Sequence, residues 1–119
     1  FAPVVGKSAN WIAEQAGLKV PEKTKILIAP LPEPSEQYPL SKEKLSPVLA
    51  YFVAKDNEQG FAYANKMLEL GGWAILLLST PAMKVADEYG IAMRVGRIIV
   101  NSPSSQVLSV ISTTPILLL

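Results

Sequence analysis

The chain has 119 residues, half of them hydrophobic and 18% charged, enough apolar content for a core and far from the composition of a disordered segment. Eleven Lys and Arg stand against ten Asp and Glu, a net charge of +1, which argues against a nucleic-acid binder held by phosphate neutralisation. Cys and His are both absent, so a disulfide scaffold, a thiolate nucleophile and an imidazole base are excluded from this sequence, and metal sites lose their two best ligands.

The length fits one domain over residues 1–119. Charge is unevenly placed: every charged residue lies at or before Arg97, and residues 98–119 carry none. A surface segment keeps some charge for solvation, so this tail is expected to be buried in the domain or against another chain. The apolar run from Ala74 to Leu78 is far short of the ~20 residues that span a bilayer. No basic region followed by an apolar stretch opens the sequence. Without an export signal or cysteine, the expectation for a natural chain is the cytoplasm, with no membrane or nucleic-acid partner.

Taken in order, residues 8–16 read as a helix with Ser8 as N-cap and Gly17 just past its end. Trp11, Ile12, Gln15 and Ala16 are expected on its inner face. Lys25 to Ala29 is a short apolar strand. Pro30, Pro32, Pro34 and Pro39 then break regular structure. Pro47 to Ala54 reads as a second strand, rich in β-branched and aromatic residues. Asp56 opens a helix, with Gln59 placed to complete a capping box. Phe61, Ala64, Met67 and Leu68 form its apolar stripe, and Gly71-Gly72 end it. Trp73 to Ser79 is a strand. Thr80 is expected to cap the next helix with Pro81 at its first position, and Met83, Ala86, Tyr89 and Met93 to face inward. Gly96 to Asn101 is a further strand, with Val107 to Ile111 and Ile116 to Leu119 as two more. Helices between strands imply crossovers, hence an α/β fold with a mostly parallel sheet and flanking helices.

Motifs that carry chemistry are few. Neither a Gly-x-Gly-x-x-Gly fingerprint nor a phosphate-binding Walker loop occurs. Asn101 to Gln106 follows a strand, where α/β proteins place ligands, and its hydroxyls and amides can bind an anion. The same composition makes an ordinary solvated turn. Lys42-Glu43-Lys44 precedes a strand, and Glu43 can orient a substrate or act as a base; the plainer alternative is an exposed charge cluster. Arg94 and Arg97 suit the C-terminal end of a helix. Trp73 can stack on a ligand or fill a core.

Four blocks carry a family resemblance: VVGKSANWIAEQAGLKVPEKTKILIAPL, YPLSKEKLSPVLAYFVAKD, ANKMLELGG and GRIIVNSPSSQ, in that order along residues 4–106. Together they resemble the CoA-acylating aldehyde dehydrogenases, including the aldehyde dehydrogenase part of the bifunctional aldehyde-alcohol dehydrogenases. The resemblance implies a Rossmann-like catalytic-domain piece of an enzyme that uses NAD and CoA with a cysteine nucleophile. It implies that Glu43 corresponds to a glutamate contacting the nicotinamide ribose. The catalytic cysteine and the nucleotide-binding domain of that family have no counterpart in these residues, so no catalytic residue and no metal ligand is assigned, no cofactor is expected to be held, and Glu43 is expected to be vestigial.

Two blocks depart from the family. Where it continues after the glycine pair with a glycine-histidine-threonine segment, this chain reads Trp73-Ala74-Ile75-Leu76-Leu77-Leu78. Where it continues through a glycine-rich stretch, this chain reads Val107 to Leu119. Both exchanges favour strand over loop. They read as a catalytic domain trimmed and redesigned into a self-contained sheet; a degenerate fragment gives the same pattern. The expectation is a protein without activity of its own that forms a homo-oligomer, with Ile116 to Leu119 as a pairing edge strand. The rival expectation is a piece of an oxidoreductase that works only with other chains.

Overall fold

The computed structural model describes residues 2–71, 75–102 and 116–117. Helix α1 spans Ala9–Gln15, α2 Asn57–Gly71 and α3 Met83–Ala92. The strands are β1 Leu27–Pro30, β2 Val48–Tyr51, β3 Ile75–Leu78, β4 Arg97–Val100 and β5 Ile116–Leu117. One-turn 3-10 helices cover Ala2–Val4 and Pro39–Ser41. The chain is α/β, as its alternation of apolar runs and amphipathic stretches requires.

Among the described residues the strands fall into two sheets. Among the described residues, β1 and β2 form a parallel pair, and β3, β4 and β5 form a separate sheet in that order. Leu27 pairs with Val48 and Pro30 with Tyr51 in the first. In the second, Ile75 pairs with Arg97 in parallel register, and Ile98 pairs with Leu117 in antiparallel register. The expectation of one mostly parallel sheet is corrected in this respect. The proline-rich segment 31–47 supplies the long connection that a parallel β1–β2 pair needs, using turns and one 3-10 turn in place of a helix.

Local signals explain the helix ends. Ser8 accepts the amide of Trp11 at 3.2 Å, closing the first turn of α1. Gly17 sits at φ +71, the left-handed conformation that ends a helix at little steric cost. Ala9 and Ala13 form the buried face of α1, whereas Trp11 and Ile12 are half-buried and Gln15 and Ala16 exposed. The inner stripe is thus rotated from the expected one, because small residues allow closer approach. At α2, Asp56 Oδ1 accepts the Gln59 amide at 2.8 Å. Gln59 Oε1 reaches back to the amide of Lys55 at 2.9 Å, one residue earlier than the usual capping box.

Helix α3 starts at Met83, not at Pro81, and its N-cap is Ala82 without a side-chain bond. Thr80 instead turns the chain: its Oγ1 accepts the amide of Ala82 at 3.2 Å. Ala86, Tyr89 and Met93 are buried as the pattern predicts, while Met83 is exposed. Tyr89, Met93 and Ile98 form the core cluster, with Phe61, Ala64, Leu78, Val95 and Val100 packed against it.

Helix α2 ties the two sheets together. Toward β1 and β2, the Tyr63 ring meets Phe52 edge-on at 6.1 Å, and the Tyr63 hydroxyl donates to the Pro32 carbonyl at 3.4 Å. Toward α3, Phe61 lies 5.3 Å from the Tyr89 ring, and Asn65 donates to the Ala92 carbonyl at 3.3 Å. Among the described residues, no helix is long and apolar enough to cross a membrane. Trp73, Pro103 to Gln106, and the expected strand Val107 to Ile111 lie outside the described residues.

Candidate functional site

A cleft of about 790 Å³ opens at the C-terminal end of α2. Leu40 to Lys44 form one wall, Met67 and Gly71 of α2 another, and Ala50, Gly96 and Arg97 complete the lining. It lies where the two sheets approach the same helix end.

The loop wall is built by short-range bonds. The Ser41 amide donates to the Tyr38 carbonyl at 2.8 Å, and that of Lys42 to the Pro39 carbonyl at 3.2 Å. Ser41 is buried, and its Oγ accepts the amide of Ser35 at 3.2 Å. The turn is thereby anchored to the proline-rich segment. Lys44 Nζ donates to the carbonyls of Leu40 at 2.5 Å and Lys42 at 3.0 Å, folding its charge back on its own loop. Partial burial lowers the Lys44 pKa from its usual value, because desolvation disfavours the ammonium form. The loop rests on the helix end: a Cβ built on Gly71 would lie 3.8 Å from the Glu43 nitrogen and 3.9 Å from its Cβ.

The cleft thus collects Lys42, Glu43, Lys44 and Arg97, of which the sequence singled out the first three as a cluster. Glu43 is exposed on its rim. Arg94 is exposed and does not line it. Ser41, Gly71 and Gly96 were not singled out, since nothing in their local sequence marks a wall made by residues far apart in the chain.

Asn101 stands apart. Its φ of 53 is left-handed, which asparagine tolerates. Its Oδ1 accepts the Thr80 amide and its Nδ2 donates to the Thr80 carbonyl, both at 2.8 Å. Its own amide donates to the Leu78 carbonyl at 2.7 Å. These bonds spend the side chain on joining the exits of β3 and β4, so Asn101 has a structural part.

Comparison with known proteins gives the ancestry. No protein-family model matches the chain. An aldehyde-alcohol dehydrogenase of Streptococcus pneumoniae is 44% identical over 105 residues, covering 87% of this chain. The crystal structure of an acetylating aldehyde dehydrogenase from Geobacillus thermoglucosidasius superposes with a TM-score of 0.79 at 38% identity, over 88% of this chain. The chain is homologous to the acylating aldehyde dehydrogenases. A succinate-semialdehyde dehydrogenase (acetylating) of Clostridium kluyveri, 33% identical over 104 residues, is a further relative. The chain spans 12% of the Streptococcus protein, 23% of the Clostridium protein and 24% of the Geobacillus chain. It therefore corresponds to a short stretch of an acylating aldehyde dehydrogenase.

The cleft does not suit a whole dinucleotide. Pyrophosphate is bound where helix N-termini and glycine-rich loops present amides. Here the helix end at the cleft is C-terminal, where the dipole is negative. The Lys44 ammonium is already engaged by two carbonyls.

Proposed function

We propose that this chain is a non-catalytic α/β piece of the acylating aldehyde dehydrogenase fold, with no aldehyde turnover of its own. The observation that carries the reading is the absence of both Cys and His from all 119 residues. Covalent acyl transfer needs a nucleophile that is activated near neutral pH, and hydride transfer needs a bound nicotinamide. Glu43 on the cleft rim is suited to receive a ribose diol by hydrogen bonding, a vestige of the family's contact. The pure chain, given acetaldehyde, CoA and NAD, is expected to leave NADH at the buffer level; sustained production would overturn the reading.

A second reading is favoured by the small share of each relative that the chain spans: it is one part of an oxidoreductase, active only with chains that supply the rest. Co-purification with a nucleotide-binding partner supports this reading, and a chain that purifies alone counts against it. The two apolar replacements fit either a redesigned chain or a degenerate piece of a gene. Self-association is part of the proposal: among the described residues β5 ends the three-stranded sheet, and an edge of that kind lets a second copy pair.

A further inference from the structure

Four asparagines stand in the chain, and their settings differ. Asn10 lies in α1 and is followed by Trp11, whose amide is held by Ser8 Oγ at 3.2 Å. Asn65 lies inside α2, where the amide of Lys66 belongs to the helix ladder. Asn57 opens α2 and is followed by Glu58, a bulky anion. Of the four, only Asn101 stands outside a helix. It sits just past β4, exposed, at a φ of 53, and is followed by the small Ser102. Its own amide is fixed on the Leu78 carbonyl at 2.7 Å. Its side-chain oxygen, Oδ1, receives the Thr80 main-chain amide at 2.8 Å, and Nδ2 donates to the Thr80 carbonyl at 2.8 Å. One side chain therefore latches the exits of β3 and β4 together, and its carbonyl is polarised by a main-chain donor.

We propose that the Asn101–Ser102 link is a site of spontaneous deamidation, and that the reaction releases the latch between β3 and β4. The Ser102 main-chain nitrogen, losing its proton to water, attacks Cγ of Asn101. A nitrogen–Cγ bond forms, the Cγ–Nδ2 bond breaks, and Nδ2 leaves as ammonia after taking a proton back from water. Water then opens the five-membered imide at one of its two carbonyls, giving aspartate or isoaspartate; nothing is oxidised or reduced. Negative charge gathers on Oδ1 during the attack, and the Thr80 amide already stands where a donor must be to stabilise it. Ser102 lies beyond Val100, the last residue of β4 in the parallel register, so turning it toward Cγ breaks no rung of that ladder. The product cannot rebuild the latch. A carboxylate only accepts, so the oxygen that replaces Nδ2 faces the Thr80 carbonyl, oxygen against oxygen. In isoaspartate the carbon that carried the latching amide has become main chain. The change also puts a negative charge into residues 98–119, which otherwise have no charged side chain. This inference goes beyond the reading of the chain as non-catalytic and stands independently of it.

The test is peptide mapping by mass spectrometry after incubation in mildly alkaline buffer, which follows the exchange of amide for acid at each asparagine. An exposed donor is worth less than the ~10²–10³ of an oxyanion-hole donor, so Asn101 should lose its amide about tenfold faster than Asn10, Asn57 or Asn65. Part of the product should be isoaspartate, which direct hydrolysis of the side chain does not give. Ser102→Ile crowds the attacking nitrogen with a β-branched side chain and leaves the latching atoms in place. It should slow the reaction at Asn101 and leave the other three unchanged. The same mapping in urea separates the latch from the local sequence: with the Thr80 amide assisting, Asn101 reacts at least as fast in the folded chain as in the unfolded one. A folded rate well below the unfolded rate, or a rate at Asn101 no higher than at the other three, overturns the proposal. Release of the latch is read separately. Asn101→Asp should lower the urea midpoint, and aged chain enriched in isoaspartate should lower it further. If Asn101→Asp fails to fold, the aged chain carries that measurement. A midpoint that the aged chain leaves unchanged overturns the release of the latch.

Discussion

Truncating Ile98 to alanine probes the part of the fold on which everything else rests. Ile98 lies in β4, the middle strand of its sheet, is 0% exposed and packs in the cluster with Tyr89 and Met93. Ile98→Ala removes three carbons, and at ~0.8 kcal/mol per buried CH₂ the transfer loss is about 2.4 kcal/mol. A partly collapsed cavity adds to this, so about 3 kcal/mol is expected, inside the range of about 2–5 kcal/mol for such changes. Natural domains have only ~5–15 kcal/mol in total, so a large share of the stability is at stake. Ile98→Val should cost about 1 kcal/mol. Ile91, 88% exposed on α3, is the internal control: Ile91→Ala should stay within about 0.5 kcal/mol. Urea unfolding followed by circular dichroism gives each value from the shift in midpoint at constant slope. A cost for Ile98→Ala below about 1 kcal/mol, or no greater than that of Ile91→Ala, would refute this account of the core.

Other outcomes follow from the same structure. Asp56→Ala removes the acceptor of the Gln59 amide and should destabilise the fold by about 1 kcal/mol, measured by the same titration. Burial raises the Tyr89 pKa above its ordinary value of 10.0, so the folded state keeps the phenol proton longer than the unfolded chain. That contribution to stability is complete below about pH 10 and is lost as pH rises through the folded value; Tyr89→Phe should flatten the alkaline fall of the urea midpoint. The replacement at Trp73 is open to a genetic check, because tryptophan has the single codon TGG. With GCC at Ala74, ATA at Ile75 and a Leu76 codon beginning CT, the same bases in a neighbouring frame read GGC CAT ACT, glycine-histidine-threonine. The coding sequence is expected to show those codons, which assigns the departure to a shift of frame; any other codon at Ala74 or Ile75 rules the shift out.

Element type was legible wherever one local signal dominated. The Ser8 cap, Gly17 and the Asp56–Gln59 pair each act within a few residues, and each stands where the pattern puts it. The start of α3 was not legible, because Thr80-Pro81 fits both a helix cap and a turn, and Asn101, distant in sequence, takes the Thr80 backbone. The division into two sheets was equally hidden, since hydrophobic periodicity says which residues are strands and nothing about which strands pair. At the candidate site the cluster Lys42-Glu43-Lys44 could be found from charge alone. Its neighbours Gly71, Gly96 and Arg97 come from other elements, and only the packing of α2 against both sheets brings them to one cleft.

We propose that these residues, by themselves, do not oxidise an aldehyde onto a thiol, because they offer neither a thiolate nor an imidazole. The most direct measurement is single-turnover and steady-state formation of acetyl-CoA by the purified chain supplied with acetaldehyde, CoA and NAD, quantified by mass spectrometry. None is expected above the protein-free control at any chain concentration. Acetyl-CoA that rises in proportion to the chain and is abolished by Glu43→Gln would contradict the proposal.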